Sequence, residues 1–359
     1  DGRNNYLAAV VMEDAQSGFA FVDITTGEFR AAQFEGSRDR QGVRDEISRV
    51  APVELLIPEY MSDSVHVSAT TNLSFLPDWK FEETVCYQAL CDHFEVNTMD
   101  GFGVGEQPLA VRAAGAIINY LKVTEPASLK LLTGLTTYSG DEFMQLDAVS
   151  RQNLELTQTI RYGQVGGSLL GVLNCTITSM GGRLLRQWIN QPLLDVEAIN
   201  ERLEGVAVAH EDGMLRGGLR EALSPLGDLE RLVNRVMGGS AGPSALVGIR
   251  TVLKELPRLV RLLDGHTSVR EGSWLQSVAA DIELSPELVS VLQRAIVDEP
   301  PAKLDKPGTI RSGWSSELDE VVSASRDARE WIAGLERTER KRSGIKNLKV
   351  RYNKIFGYF

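Results

Sequence analysis

Seven bases crowd between Arg340 and Lys354: Arg340, Lys341, Arg342, Lys346, Lys349, Arg351 and Lys354, with no acid among them. Ammonium and guanidinium groups at that density can hold phosphate oxygens and displace the counterions around them. The chain as a whole carries a net charge of −11, which argues against a protein whose entire surface grips nucleic acid. A net-acidic protein with one concentrated basic end can still bind a phosphate backbone locally. The competing reading is a solvated basic face, and charge alone leaves the two open.

Other chemistry is harder to assemble. A two-metal nuclease needs three or four converging carboxylates. Asp23 and Glu54 are the candidates, and Asp23 lies beside a turn, where Asp commonly caps backbone groups. Cys86, Cys91 and Cys175 cannot make a disulfide framework, and His93 alone does not complete the four ligands that zinc needs. Buried free thiols are the expectation. His66, His93, His210 and His266 are scattered and join no nucleophile motif. There is no G-x-x-x-x-G-K-[ST] phosphate loop and no G-x-G-x-x-G behind a strand; Gly101, Gly103 and Gly105 read as a flexible loop. The residues themselves therefore point to no catalytic group, metal ligand or cofactor site, and describe a scaffold with a basic arm.

The elements that position this arm follow from periodicity. Tyr6–Met12 is a continuous apolar run, as in a strand buried on both faces. Asp14–Gly18 and Thr25–Glu28 are turns, and Phe19–Ile24 and Phe29–Phe34 are two more strands, giving three antiparallel strands. A helix over about Ser37–Val50 and a fourth strand over Val53–Ile57 follow, then helices near Thr84–Phe94 and Pro108–Leu121. Three meander strands, a helix and a returning strand is the order of a ribonuclease-H-like α/β fold.

Strand signals end near Val123, and helices dominate to about Leu292. They include Gly181–Asn190, a helix capped by Asp195, one capped by Asp228, and one opened by Pro243 that runs toward Leu263. After Pro300-Pro301 and Lys306-Pro307-Gly308, Ser316 begins a long helix reaching about Arg342. Leu318, Val321, Ser325, Ala328, Ile332 and Leu335 recur along it at alternating spacings of 3 and 4, a heptad seam that a lone helix leaves exposed. Leu348, Val350 and Tyr352 alternate with polar residues as in a strand, and a second apolar run, Ile355–Phe359, has just begun when the chain stops. The expectation is a segment cut inside a protruding arm. No run of about 18 apolar residues spans a membrane, and Asp1–Asn5 lacks the features of a signal peptide. A cytoplasmic location is the default expectation.

Several stretches together resemble the MutS family of bacterial DNA mismatch-recognition proteins. They are "NNYLAAV" with "GFAFVDITTGEF", "LDAVSRQNLEL", "GSLLGVLNCTITSMGGRLLRQWINQPL" (Gly167–Leu193, the most specific), "LGDLERLVNRV" and "SGIKNLKVRYNKIFGYF". The resemblance implies four parts. Residues 1–122 would be a ribonuclease-H-like connector without nuclease activity, 123–315 an all-α core, 316–344 a lever helix, and 345–359 the start of a truncated β clamp. Arg342, Lys346, Lys349, Arg351 and Lys354 would be the clamp's contacts to the duplex backbone, made without reading sequence. Arg340 and Lys341 would instead solvate the lever end or face its dipole.

The resemblance further implies a parent that is a DNA-dependent ATPase using ATP and Mg²⁺ in a domain beyond Phe359. That parent would act as a homodimer on mismatched double-stranded DNA, with MutL downstream, in the cytoplasm at the nucleoid. The family's mismatch-reading domain carries a Phe-x-Glu motif. Phe81-Glu82-Glu83 fits the tripeptide but lies in the connector, and reads as coincidence. Two alternatives stand beside this one: a metal-dependent nuclease on the first domain, and a MutS-like paralogue acting outside mismatch repair. The paralogue typically lacks a connector, which "NNYLAAV" and "VDITTGEF" supply.

Overall fold

A computed structural model describes residues 4–35, 39–62, 71–138, 143–303, 306–345, 347–349, 352–353 and 357–358. The chain divides into two compact units, Asp1–Val289 and Ser290–Phe359.

The first unit opens with β1 (Tyr6–Glu13), β2 (Gln16–Asp23) and β3 (Glu28–Glu35), then α1 (Asp39–Val50), β4 (Glu54–Pro58), β5 (Asn72–Leu76), α2 (Glu83–Phe94), α3 (Pro108–Thr124), α4 (Pro126–Leu129) and β6 (Thr136–Thr137). The six strands form one sheet in the order β5-β4-β1-β2-β3-β6. β1–β3 pair antiparallel, as the tight turns require, while β4 returns parallel to β1. The strands expected from sequence are present. β5 and the two-residue β6, which pair parallel to β4 and β3, were not legible in it. Their patterns are too short or too mixed: only Leu76 of β5 is buried.

Side chains of a strand alternate between faces, and here each face has its own core. Leu7, Ala9, Val11, Ala20, Val22 and Leu56 pack with α2 and α3 residues. Ala8, Val10, Phe19, Phe21, Leu55 and Ile57 pack with Val43, Ile47 and Val50 of α1. Both faces being covered explains why Tyr6–Met12 is apolar without alternation. α2 and α3 cross so closely that a Cβ on Gly115 would lie 2.4 Å from the Cα of Cys86. The start of α3 is fixed by Pro108 and by Gln33 of β3, whose side-chain oxygen accepts the Leu109 amide at 2.9 Å.

The boundary expected at residue 122 falls inside α3. Beyond it, Leu132 and Leu135 are buried in one core and Tyr138 in the other. The strand pairing of Thr136–Thr137 likewise extends past the expected end of strand signals.

Helices follow: α5 (Ala148–Asn153), α6 (Leu169–Leu173), α7 (Ser179–Asn190), α8 (Val196–Glu211), α9 (Gly213–Leu223), α10 (Leu229–Met237), α11 (Pro243–Asp264), α12 (Trp274–Ala280) and α13 (Pro286–Ala295). Asp195 caps α8 through the Ala198 amide at 2.9 Å, and Asp228 caps α10 through that of Arg231, as expected. Asp228 has a second task. Arg183 of α7, 7% exposed, donates to both its oxygens at 2.6 and 2.8 Å and also bonds Glu230.

In the second unit Ile296 bridges Ile310, and Arg311 pairs with Asp298 at 3.2 Å. α14 (Ser316–Ser343) runs for 28 residues, and β7 (Tyr352–Asn353) pairs antiparallel with β8 (Gly357–Tyr358).

Candidate nucleic-acid interface

The basic run is delivered by the end of α14. Ser315 starts this helix by accepting the Leu318 amide, Glu317 and Asp319 occupy its first turn, and Arg340, Lys341 and Arg342 its last. That acid-to-base order complements the helix dipole. Gly344, at φ 69°, takes the left-handed conformation that ends the helix and donates its amide to the Arg340 carbonyl at 3.0 Å. At 1.5 Å per residue the helix spans about 42 Å. Of its described seam residues Leu318 is 38% exposed and Val321 66%, while Leu335 is half-buried. The side chains of Ala328 and Ile332 lie outside the described residues.

The five sequence-predicted backbone contacts fare differently. Arg342 is exposed and pairs with Glu339 at 3.0 Å, one turn back on the helix. Such a surface pair contributes little to stability. Lys349 is exposed and lies beyond the helix. Lys346, Arg351 and Lys354 lie outside the described residues.

Arg340 is more occupied than the sequence suggested. It bonds Glu336 and donates from Nε to the Leu348 carbonyl at 2.7 Å. The Leu348 amide turns back to the Ile345 carbonyl at 3.3 Å. Both backbone groups of Leu348 therefore serve a turn against the helix end. The strand expected from Leu348 onward is confined, among the described residues, to Tyr352–Asn353. Residues that touch through a helix terminus leave no period in the sequence, so this bond was not legible.

The alternative carboxylate site does not assemble. Asp23 is fully buried, and its oxygens accept from Thr25 N at 2.8 Å, Thr25 Oγ1 at 2.6 Å, Asn4 Nδ2 at 2.9 Å and Asn5 N at 3.3 Å. Glu54 accepts from Ser74 and, at 2.8 Å, from the Tyr120 hydroxyl. Both carboxylates serve the fold. Among the described residues no group of three or more His, Cys, Asp or Glu could hold a metal ion. Cys86 is buried and burial pushes its thiol up to about 12, so it is inert at neutral pH. Cys91 is also buried, but Cys175 is exposed, against expectation. Phe81 of the Phe-x-Glu tripeptide is wholly buried in the sheet's core and cannot reach a base.

An open cavity of about 720 Å³ between α8 and α9 is lined by Glu204, Glu211 and Asp212, with Arg270 paired to Glu204 at 3.4 Å. Its acidity disfavours a polyanion. Among the described residues no helix is long and apolar enough to cross a membrane.

Two family models match the chain: MutS domain II over residues 5–133 and MutS domain III over residues 149–355. The chain belongs to the MutS family. The MutS relatives are similar along the full chain. "DNA mismatch repair protein MutS" of Halothermothrix orenii is 39% identical over 100% of this chain and 40% of its own length. The protein of the same name from Salinibacter ruber is 38% identical over 99% of the chain and 39% of its length. That from Thermosynechococcus vestitus is 38% identical over 99% and 42%. The chain thus spans about two fifths of the length of the curated MutS relatives it matches.

Proposed function

We propose that this chain is the connector, core, lever and first clamp segment of a mismatch-repair MutS, and that its basic end holds the backbone of duplex DNA. The observation that carries the reading is collinearity. Both MutS domain models fall in order along one chain, and the basic run lies at the end of the second. The strand order β5-β4-β1-β2-β3, with β4 parallel to β1 after α1, supports a ribonuclease-H-like connector. The proposed parts are the connector at 1–122, core at 123–315, lever helix at 316–344 and clamp from 345. The burial of Leu132, Leu135 and Tyr138 supports moving the first boundary to follow Tyr138.

The bases fall into two groups. Arg340 and Lys341 have a helix dipole to answer; Arg342, exposed in the same turn, stays among the proposed backbone contacts. Lys346, Lys349, Arg351 and Lys354 follow Gly344, and residues 340–359 include no acid. Phosphate oxygens are the partner that such a set suits. α14 is a rigid element about 42 Å long that can carry a displacement between its ends. Its exposed seam suits a returning helix in the longer relatives.

In the whole protein we read the activity as that of a DNA-dependent ATPase using ATP and Mg²⁺ in a separate domain. It would work as a homodimer on mismatched duplexes, with MutL as partner, in the cytoplasm at the nucleoid. The test for the present chain is gel-shift titration of a duplex against wild type and a variant with Lys346, Lys349, Arg351 and Lys354 all changed to Gln. Binding that disappears in the variant supports the reading, and equal binding by both rejects it.

A further inference from the structure

Asp212 stands where α8 ends and α9 begins, and both its oxygens are in use. Oδ1 accepts the amides of Met214 and Leu215 at 2.9 Å each, which starts α9. Oδ2 accepts the Ser268 hydroxyl at 2.6 Å, so the cap of α9 is also tied to the loop that follows α11. These bonds, the Ser268 hydroxyl foremost, hold the Asp212 carboxyl below the usual carboxylate range. It is an anion at neutral and mildly acid pH.

The same loop brings an imidazole to this anion. His266 Nδ1 lies 3.5 Å from Asp212 Oδ2 and 3.4 Å from the Ser268 amide nitrogen. One ring nitrogen thus faces an acceptor and a donor, and it cannot serve both. With Nδ1 bare, the ring accepts the Ser268 N–H, and its lone pair opposes the carboxylate. With Nδ1 protonated, the Ser268 bond is lost and the new hydrogen is directed to Asp212. Both distances exceed an ordinary hydrogen bond, so a small turn of the ring shortens one and lengthens the other. The His266 side chain is 25% exposed, enough for a proton to reach it.

The other charges around the ring are answered elsewhere or face the solvent. Arg270 of the loop pairs with Glu204 of α8 at 3.4 Å. Arg216 of α9 donates from Nη1 to the carbonyls of Ala209 and His210 at 2.7 and 2.8 Å. Asp264, which ends α11, accepts from Gln276 at 3.5 Å. His210 and Glu211 of α8 are exposed, and Glu211 lines the open cavity between α8 and α9 that Asp212 and Ser268 also line. The end of α11, two residues before His266, favours a cation; the start of α9 opposes one, but there the Asp212 carboxylate meets the ring.

We propose that His266 is a proton-operated clasp within the helical region: charged, it pairs with Asp212 and draws the loop after α11 onto the start of α9; uncharged, it leaves Asp212 and takes the Ser268 amide. The pairing stabilises the folded chain while the imidazole is charged and lapses as pH rises through the range in which histidine discharges, about pH 5 to 8. The clasp does not depend on the nucleic-acid reading.

Nitrogen NMR and amide exchange on the 359-residue chain test it. At about pH 8 the His266 ring is expected to carry its hydrogen on Nε2 and a bare Nδ1. Protection of the Met214 and Leu215 amides, corrected for intrinsic exchange, is expected to be about two- to fivefold greater at pH 5.5 than at pH 8. His266→Gln should remove that difference. Asp212→Asn should remove it too while α9 stays capped, because Asn is as good a cap as Asp. A hydrogen already on Nδ1 at pH 8 overturns the clasp, since the ring would then serve Asp212 without taking up a proton. Equal protection at both pH values overturns it as well, and so does a pH difference that survives in His266→Gln.

Discussion

The sheet region and α14 handle apolar residues in opposite ways. Val10, Phe19, Phe21 and Leu56 are at most 1% exposed, each covered by a helix from the same stretch of chain. Along α14, Leu318, Val321, Val322 and Trp331 are 38%, 66%, 51% and 60% exposed. The sheet region is held by burial of both faces. α14 is held by local devices: the Ser315 cap, the acid-to-base order, and spaced pairs such as Arg340 with Glu336. A helix of 28 residues can persist on such devices because it is well past the length at which nucleation dominates. One region has its stability built in, and the other presents a surface.

Substitutions should widen that contrast. Phe19→Ala removes a fully buried ring and is expected to cost about 3–5 kcal/mol in urea unfolding, because the rigid sheet cannot collapse into the space. Arg183→Met is expected to cost about 2–3 kcal/mol, since it strands the Asp228 carboxylate that caps α10.

The same pair gives a pH dependence. Burial pushes the Asp228 carboxyl up, but its bonds to Arg183 outweigh that and hold it below the usual carboxylate range. The stabilisation is therefore full above about pH 4 and is lost as pH falls through the lowered folded-state value. Acid unfolding of wild type should be steeper in this limb than that of Asp228→Asn; parallel curves would break the assignment. At the small end, Val321→Ala should change stability by less than about 0.5 kcal/mol, because its side chain is already in water. A loss comparable to that of Phe19→Ala would erase the contrast.

How much of this was legible depended on whether the information was periodic. Tyr6–Met12 and the two turns after it specify three strands by composition, and α14 announces itself through a heptad and its caps. β5 was missed because one buried residue makes no pattern. The grip of Arg183 on Asp228 and the bond from Asn234 to Thr25 join residues 45 and 209 apart, and no local pattern encodes such pairs. For the basic end, sequence located the charges. The structure then separated the bases that answer a helix dipole from Lys349, which lies past Gly344 where the helix ends.

In the proposed function, the bases beyond Gly344 hold a duplex backbone. Salt titration of fluorescence anisotropy tests it most directly, with one duplex fully paired and one carrying a single mismatch. We expect weak binding that is the same for both duplexes and falls steeply as salt rises. The slope of log K against log salt should shrink by about 0.9 for each phosphate-contacting base changed to Gln. A slope unchanged by removing Lys346, Lys349, Arg351 and Lys354, or a preference for the mismatch, would contradict it.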